Sequence, residues 1–502
     1  MVPGLPGWLS FLIVGLIAVL ILAGGWLLVR ASEGRRLPPR LAVPVVLAAV
    51  VHLAAGVLWY YALPVLGHDS APEQAGYIMA DAHQRDQVAW NLARDDKPLL
   101  SAFRNNRAAD QYGGMLFISA LVYRYLGGMT HQPLLMVVIG AAFSALAVLF
   151  AWVLARRTWD EKVAWLTAWV LVVYPELIIL GSSQMREAFL ITLATAAFYG
   201  LVRSLQEHDR ISLAWATIPV LLMVPLSPPA ALLTLALIVL CGVYAGGWRV
   251  GALRSRTVAW MAAAGLLILV LAAAWFALQQ FAPEGMTNPL QVLEYWLRKS
   301  SDMQAFLVKH SSGWLKQVLN SVPAWLQMPI LVGYGVVQPF LPAALIATSD
   351  SSLWTGIAIF RAVGWSLLLA LLLYASLLAF GKRVQARLNR AFVAVIWLGV
   401  LAAAYRGGGD QWDNPRYRAV FVGLQVGVAC WAWVQARRER DPWFRRAWLA
   451  VFCILLWFVP WYLHRYTPLA WPVVDLFKTI GLGLATVVLV LLWDWARSIR
   501  AS

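Results

Sequence analysis

Apolar runs of about 20 residues recur along the chain between short polar turns, and each is long enough to cross a bilayer as a helix. The pattern predicts about thirteen spans, at 8–29, 41–64, 133–155, 163–180, 187–203, 212–227, 229–247, 257–281, 354–380, 391–405, 418–435, 447–463 and 472–494. Two further apolar stretches break this alternation. They are 112–126 and 322–347, the second interrupted by Pro323, Pro329, Pro339 and Pro342. Both predict interfacial or re-entrant segments, because non-helical backbone at membrane depth is tolerated where it lines a protein cavity. Pro225, Pro228 and Pro229 predict a break between two short helices. The expected fold class is therefore an all-α polytopic membrane protein. One long polar segment, 67–110, interrupts it early, with Asp81, Arg85, Asp86, Arg94, Lys97, Arg104, Arg107 and Asp110, and with Trp90 and Tyr112 beside them.

Composition agrees with that pattern. The 502 residues are 61% hydrophobic and 13% charged, against roughly 45–50% apolar and about 25% charged in soluble domains. No room remains for a large soluble domain. The first run lacks a basic leading region, and Arg30, Arg35, Arg36 and Arg40 follow it, so it reads as a mature transmembrane helix and not as a cleaved signal. Cys241, Cys430 and Cys453 lie inside apolar runs without metal spacing and read as small core residues. Many of the 28 tryptophans flank the runs, as interfacial anchors do.

The net charge of +16 reads as topology and not as a nucleic-acid footprint. Basic residues cluster in the short loops 30–40, 156–162, 203–210, 249–256, 382–390 and 437–446 and in the tail after 495, which places those loops in the cytoplasm. The N-terminus is then outside and the C-terminus inside. The outer face receives 67–131, 181–187, 281–342, 406–418 and 464–471. These outer loops also carry Arg and Lys, against the charge bias, and an anionic lipid phosphate would account for them.

Four groups of residues carry candidate chemistry. In Asp81-Ala-His-Gln-Arg-Asp86 and the residues after it, Val88, Ala89, Leu92 and Ala93 suit an amphipathic helix at the membrane surface. Asp81 would sit at its positive end, either as a base with Asp86 the next candidate, or as an N-cap with Asp86 a solvated charge. In Ser182-Ser-Gln-Met-Arg-Glu187, Arg186 and Glu187 stand at the lip of the membrane, where unpaired charge is costly. They read equally as a mutual ion pair or ordinary helix-end anchors, or as a phosphate-holding cation and an acid that orients a substrate or the base. In Arg406-Gly-Gly-Gly-Asp410-Gln-Trp-Asp413-Asn-Pro-Arg416-Tyr417-Arg418, the glycines allow close backbone approach to a ligand. Arg416 and Arg418 open a helix where charged forks and backbone N–H groups hold phosphate; the alternative is a flexible turn with anchoring arginines. The loop 281–323, with Trp296, Arg298, Lys299, Lys309, His310, Trp314 and Lys316, has the aromatics and cations to cover a lipid-linked sugar. No zinc, P-loop, Rossmann or serine-hydrolase motif is present. The i,i+3 spacing of Asp475 and Lys478 would let them simply pair with each other.

These motifs resemble the GT-C membrane glycosyltransferases, in particular the bacterial relatives of protein O-mannosyltransferases and lipid A aminoarabinose transferases. The resemblance runs through Ala80-Asp81-Ala-His-Gln-Arg-Asp86, Asp110-Gln-Tyr-Gly-Gly-Met with Tyr123-Arg-Tyr-Leu-Gly127, and the basic turn Ala155-Arg-Arg-Thr-Trp-Asp-Glu-Lys162. It continues in Ser182-Ser-Gln-Met-Arg186-Glu187 after Tyr174-Pro-Glu176, and returns at Asn414-Pro-Arg-Tyr-Arg418. The chain departs from the family at Ala82, where a second acid is common, at Arg85 in place of a Tyr, and at Glu187 where Asp is usual. The helix at 8–29 precedes the family's usual first helix.

The resemblance implies a GT-C fold with outer-face juxtamembrane helices. It divides the chain into an extra N-terminal helix and turn (1–40), a catalytic core (41–281, first outer loop 65–131), an outer loop (282–353) and C-terminal helices (354–502). It implies sugar transfer from a polyprenyl-phosphate donor to a protein, glycan or lipid acceptor at the extracytoplasmic face of the plasma membrane, with inversion at the anomeric carbon. Asp81 would be the base and Asp86 its alternate. Arg104, Arg107, Tyr112, Arg186, Glu187, Arg416, Tyr417 and Arg418 would bind substrate or phosphate. These residues require no cofactor and leave room for a divalent metal. A lipid-linked glycan flippase, or an oligosaccharide polymerase or ligase, is the alternative function.

Overall fold

The computed structural model describes residues 6–34, 37–104, 109–245, 313–347, 349–381, 387–409, 413–473 and 475–500, and scattered positions between 268 and 295. Among them every regular element is helical. Twelve of the thirteen expected spans fall on these helices; the thirteenth, 257–281, lies almost wholly outside the described residues, as do most of the loop 281–312, Arg107 and 410–412. Among the described residues eight helices are long and apolar enough to cross a membrane, or nine if one bent pair is a single span. The chain divides into two compact units.

The first unit comprises 1–305 with 394–396 and 416–427. Its helices are α1 (Gly7–Ser32), α2 (Ala42–Leu66), α3 (Ala71–Gln74), α4 (Ala80–Arg94), α5 (Gly114–Leu126), α6 (Leu134–Thr158), α7 (Glu161–Val173), α8 (Pro175–Gly181), α9 (Glu187–Glu207), α10 (Arg210–Met223) and α11 (Pro228–Tyr244). The centre is α6 and α9, whose apolar windows are 83% and 94% buried, whereas α1 is 22% buried. Small residues explain the difference. Gly140, Ala141, Ala142, Ser144, Ala145 and Ala147 on α6 let neighbouring backbones approach, which is how helices associate when lipid removes the hydrophobic incentive. Gly200 on α9 shows how close this is: a Cβ there would stand 2.2 Å from the backbone nitrogen of Ala216 on α10.

Helix α1 is apolar all round, and it is fastened to the unit by polar groups at its end. Glu33 accepts hydrogen bonds from Arg157 Nε at 2.6 Å and Tyr199 Oη at 2.7 Å, and Arg203 donates to the Ser32 carbonyl. Glu207 and Asp209 hold the far sides of the two arginines. Further along, α7 and α8 meet at a 56° bend. Pro175 causes it, because proline lacks an N–H and keeps the preceding residue, Tyr174, extended. The bend delivers the turn 182–186, and Glu187 after it, to the polar loop. Helices α10 and α11 are separated at 224–227 as the prolines predict, with Ser227 capping the Ala230 N–H.

The second unit comprises 306–393, 397–415 and 428–502. The stretch 322–347 resolves into Ala324–Val337 and Leu341–Ile346. Leu315, Leu319, Leu331, Ala343, Trp461 and Tyr462 form an apolar cluster there, and Asp494 pairs with Arg446 Nε at 2.8 Å.

Candidate functional site

The polar segment folds around α4. Met79, in extended conformation, is the N-cap, so Asp81 lies one residue inside the first turn and makes no cap. The face of α4 turned inward is Ala82, Arg85, Asp86, Ala89 and Leu92. The amphipathic spacing is as expected, yet the inward face carries two charges, and each is met by a partner distant in sequence.

Asp86 is 1% exposed. Tyr77 Oη donates to it at 2.5 Å, Tyr123 Oη donates to its other oxygen, and His131 Nε2 lies 2.6 Å from it. His131 is itself stacked on Trp90, with ring centroids 5.1 Å apart. Burial first, and the Asp86 charge next, raise the Tyr77 phenol above its ordinary value, which keeps it a donor. Asp86 thus holds the polar loop together, fixing Tyr77 just ahead of α4, α4 itself, α5 and the approach to α6.

Arg85 leads in the other direction. Its Nη1 donates to the Gln184 carbonyl at 3.2 Å, and its Nε lies 3.9 Å from Asp110 Oδ2, an ion-pair distance and not a hydrogen bond. Asp110 is fixed by accepting from the backbone N–H of Leu116 at 2.9 Å. Burial lowers the Arg85 pKa, and Asp110 resists that shift.

Beyond Arg85 the charges continue. Arg416 Nη1 donates to Asp81 Oδ2 at 3.0 Å, and its Nε lies 3.4 Å from Glu187 Oε1. Arg186 Nε stands 3.6 Å from the same Glu187 oxygen, and its guanidinium covers the Tyr112 ring at 5.1 Å. Burial disfavours the charge on Arg186, but Glu187, Tyr112 and Asp110 more than offset this and its pKa is raised. Three guanidiniums, Arg85, Arg186 and Arg416, therefore face three carboxylates, Asp81, Asp110 and Glu187. Of these carboxylates Asp81 is the exposed one, its side chain 58% accessible, against 1% for Asp110 and 2% for Glu187. An exposed acid on a mostly buried arginine gives a proton acceptor beside a cation that can take an incoming oxyanion.

The structure thus brings Asp81, Arg186, Glu187, Tyr112 and Arg416 into one cluster, with the Tyr417 ring 5.2 Å from the Arg416 guanidinium. Arg418 is 1% exposed, and its carbonyl accepts from Gln425. Arg104 is exposed, its N–H ending the turn at Ser101. Asp86 belongs to the phenol and imidazole nest of Tyr77, Tyr123 and His131. The glycines before Asp410 are used in packing within the second unit: a Cβ on Gly407 would stand 2.7 Å from Asn414 Cα, and one on Gly409 2.7 Å from the Tyr334 ring. Tyr77 and His131 were missed by sequence reasoning, and Tyr123, though part of a motif, was given no role. No fixed spacing links them to Asp86; the signal was only that each is a polar aromatic in or beside the one long polar loop. Among the described residues no three His, Cys, Asp or Glu side chains gather as metal ligands do.

No family model matches the chain, and no curated protein matches it. Among solved structures it is similar to the archaeal oligosaccharyltransferase AglB from Archaeoglobus fulgidus in complex with an inhibitory peptide and a dolichol-phosphate, at 14% identity and a TM-score of 0.42, over 89% of this chain and 54% of that one. It is also similar to the Archaeoglobus fulgidus oligosaccharyltransferase tethered with an acceptor peptide containing the NVT sequon, at 14% identity and a TM-score of 0.44, over 89% and 55%. The chain spans about half the length of the structures it matches.

Proposed function

We propose that this protein is a GT-C membrane glycosyltransferase that moves a sugar from a polyprenyl-phosphate donor to an acceptor hydroxyl at the extracytoplasmic face of the plasma membrane. The observation that carries the reading is the exposed Asp81 carboxylate on Arg416, with Glu187 and Arg186 behind it. The motif resemblance to protein O-mannosyltransferases and aminoarabinose transferases supports it from an independent side.

In this reading Asp81 accepts the proton of the acceptor hydroxyl. The acceptor oxygen bonds to the anomeric carbon as the bond from that carbon to the phosphate oxygen breaks, and the electron pair leaves with the phosphate. One displacement inverts the centre. Arg416 and Arg186 meet the developing phosphate charge, a preorganised electrostatic term that is usually large. Glu187 orients both arginines, and Tyr112 supports Arg186 from below its plane. Tyr417 backs Arg416, and the lipid tail lies in a groove between helices. Asp86 sets the position of α4 and does not take the proton.

The test is Asp81→Asn in the full chain, assayed for transfer from a labelled polyprenyl-phosphate sugar in proteoliposomes. Loss of a general base costs typically about 10²–10⁴ in rate. Asparagine at this exposed position keeps a side-chain oxygen for Arg416, which also keeps Glu187, so the variant stays folded. A folded Asp81→Asn protein turning over at the wild-type rate would falsify the assignment of the base.

A further inference from the structure

Asp81 and Arg416 have opposite tasks in the reaction, one to take a proton and the other to meet a phosphate, yet in this structure they hold each other. Arg416 Nη1 donates to Asp81 Oδ2 at 3.0 Å. The arginine side chain is 8% accessible and the carboxylate 58%, so the cation is the fixed partner and the acid the movable one. Arg416 is held from two further sides. Its Nε lies 3.4 Å from Glu187 Oε1, and its Nη2 donates to Tyr417 Oη at 3.4 Å. Asp81 lies in the first turn of α4 and does not cap it, so swinging away from Arg416 opens no cap.

The charge balance of the cluster says what would move the acid. Arg85, Arg186 and Arg416 face Asp81, Asp110 and Glu187, three positive charges against three negative ones. An incoming phosphodiester brings a fourth negative charge to a set that is already neutral. Two anions at one guanidinium repel each other, and one of them must go out to water. Asp110 is buried and accepts from the Leu116 N–H, and Glu187 is buried between Arg186 and Arg416. Asp81 is the carboxylate that water already reaches. A phosphodiester carries one negative charge, as Asp81 does, so exchanging one for the other on Arg416 leaves the cluster neutral.

We infer that Asp81 latches Arg416 in the resting protein and that the phosphodiester of the donor displaces it; this rests on the glycosyltransferase reading. The released acid stays on the first turn of α4, with the oxygen that had faced Arg416 turned to the acceptor hydroxyl. The base therefore becomes available only once the donor is in place, and the donor binds before the acceptor. No covalent bond is made or broken in the exchange.

The test is calorimetric titration of methyl geranyl phosphate, a sugarless phosphodiester with one negative charge, into the full-length protein in phosphatidylcholine nanodiscs. Asp81→Asn should bind this probe about threefold tighter than wild type, because a neutral amide holds Arg416 less strongly than a carboxylate and an exposed ion pair contributes little. The gain should vanish when the comparison is repeated in an Arg416→Gln background. With Arg416 in place it should survive high salt, which screens long-range repulsion. Asp81→Asn binding no tighter than wild type overturns the latch. So does a gain that persists in Arg416→Gln or disappears in salt, and the salt comparison decides alone should Arg416→Gln not fold. Lost turnover of Asp81→Asn with unchanged probe binding keeps the base and removes the latch; wild-type turnover with tighter binding keeps the latch and removes the base. Equal binding by wild type and Arg416→Gln takes the phosphate away from Arg416 and overturns the latch together with that part of the reading.

Discussion

Replacing Asp86 separates a structural acid from a catalytic one. In Asp86→Ala, two phenols and an imidazole lose their shared acceptor in a site where Asp86 is 1% exposed. A buried donor left without a partner costs about 1–3 kcal/mol, and two phenols and an imidazole share this one acceptor. These costs overlap, so the expected loss is about 3–5 kcal/mol. Asp86→Asn keeps one carbonyl oxygen to accept from a phenol but turns an amide N–H₂ toward the other donors, so it should fall between alanine and wild type. The assay pairs melting, followed by size-exclusion of detergent-solubilised protein after heating, with sugar transfer measured below the melting point. Melting order should be wild type, then Asn, then Ala, with transfer surviving in whatever fraction of the Asn variant stays folded. Two outcomes would refute the reasoning. An alanine variant that melts with wild type would mean the nest contributes nothing. An Asn variant that melts like wild type but transfers no sugar would make Asp86 the base.

Two further outcomes follow from named contacts. Arg416→Lys removes a fork that reaches Asp81 with Nη1 and Glu187 with Nε; one ammonium cannot serve both, so KM for the polyprenyl-phosphate donor should rise about tenfold, or about 1.4 kcal/mol, and unchanged donor affinity would exclude Arg416 from phosphate binding. Glu33→Gln removes the charge that Arg157 and Tyr199 share and should lower stability by about 1–3 kcal/mol, read by melting; an unshifted melt would show that the fastening at the end of α1 carries no weight.

The helices were legible because lipid demands long apolar runs, and the prolines at 225, 228 and 229 marked a real break. Helix α4 was legible too, but its inward face was not. Apolar spacing points to Ala89 and Leu92, while Arg85 and Asp86 are buried only because Gln184, Tyr123 and His131 arrive from elsewhere in the chain. Asp81 and Arg416 stand 335 residues apart; nothing in local pattern joins them, and only the motif resemblance put both in one site. Gly407 and Gly409 show the opposite failure. Their freedom suggested a ligand, and the backbone uses it to approach Asn414 and Tyr334.

The fastening of α1 also orders events during synthesis. Arg157 follows Glu33 by 124 residues, and Arg203 follows Ser32 by 171. At about 5–20 residues per second, Glu33 waits roughly 6–25 s for its first arginine. Through that interval α1 must stay in the bilayer on its own apolar surface, for which its mean hydropathy of 2.8 is sufficient. A nascent chain halted before Arg157 should therefore already resist alkaline extraction from membranes, with Glu33 still open to water.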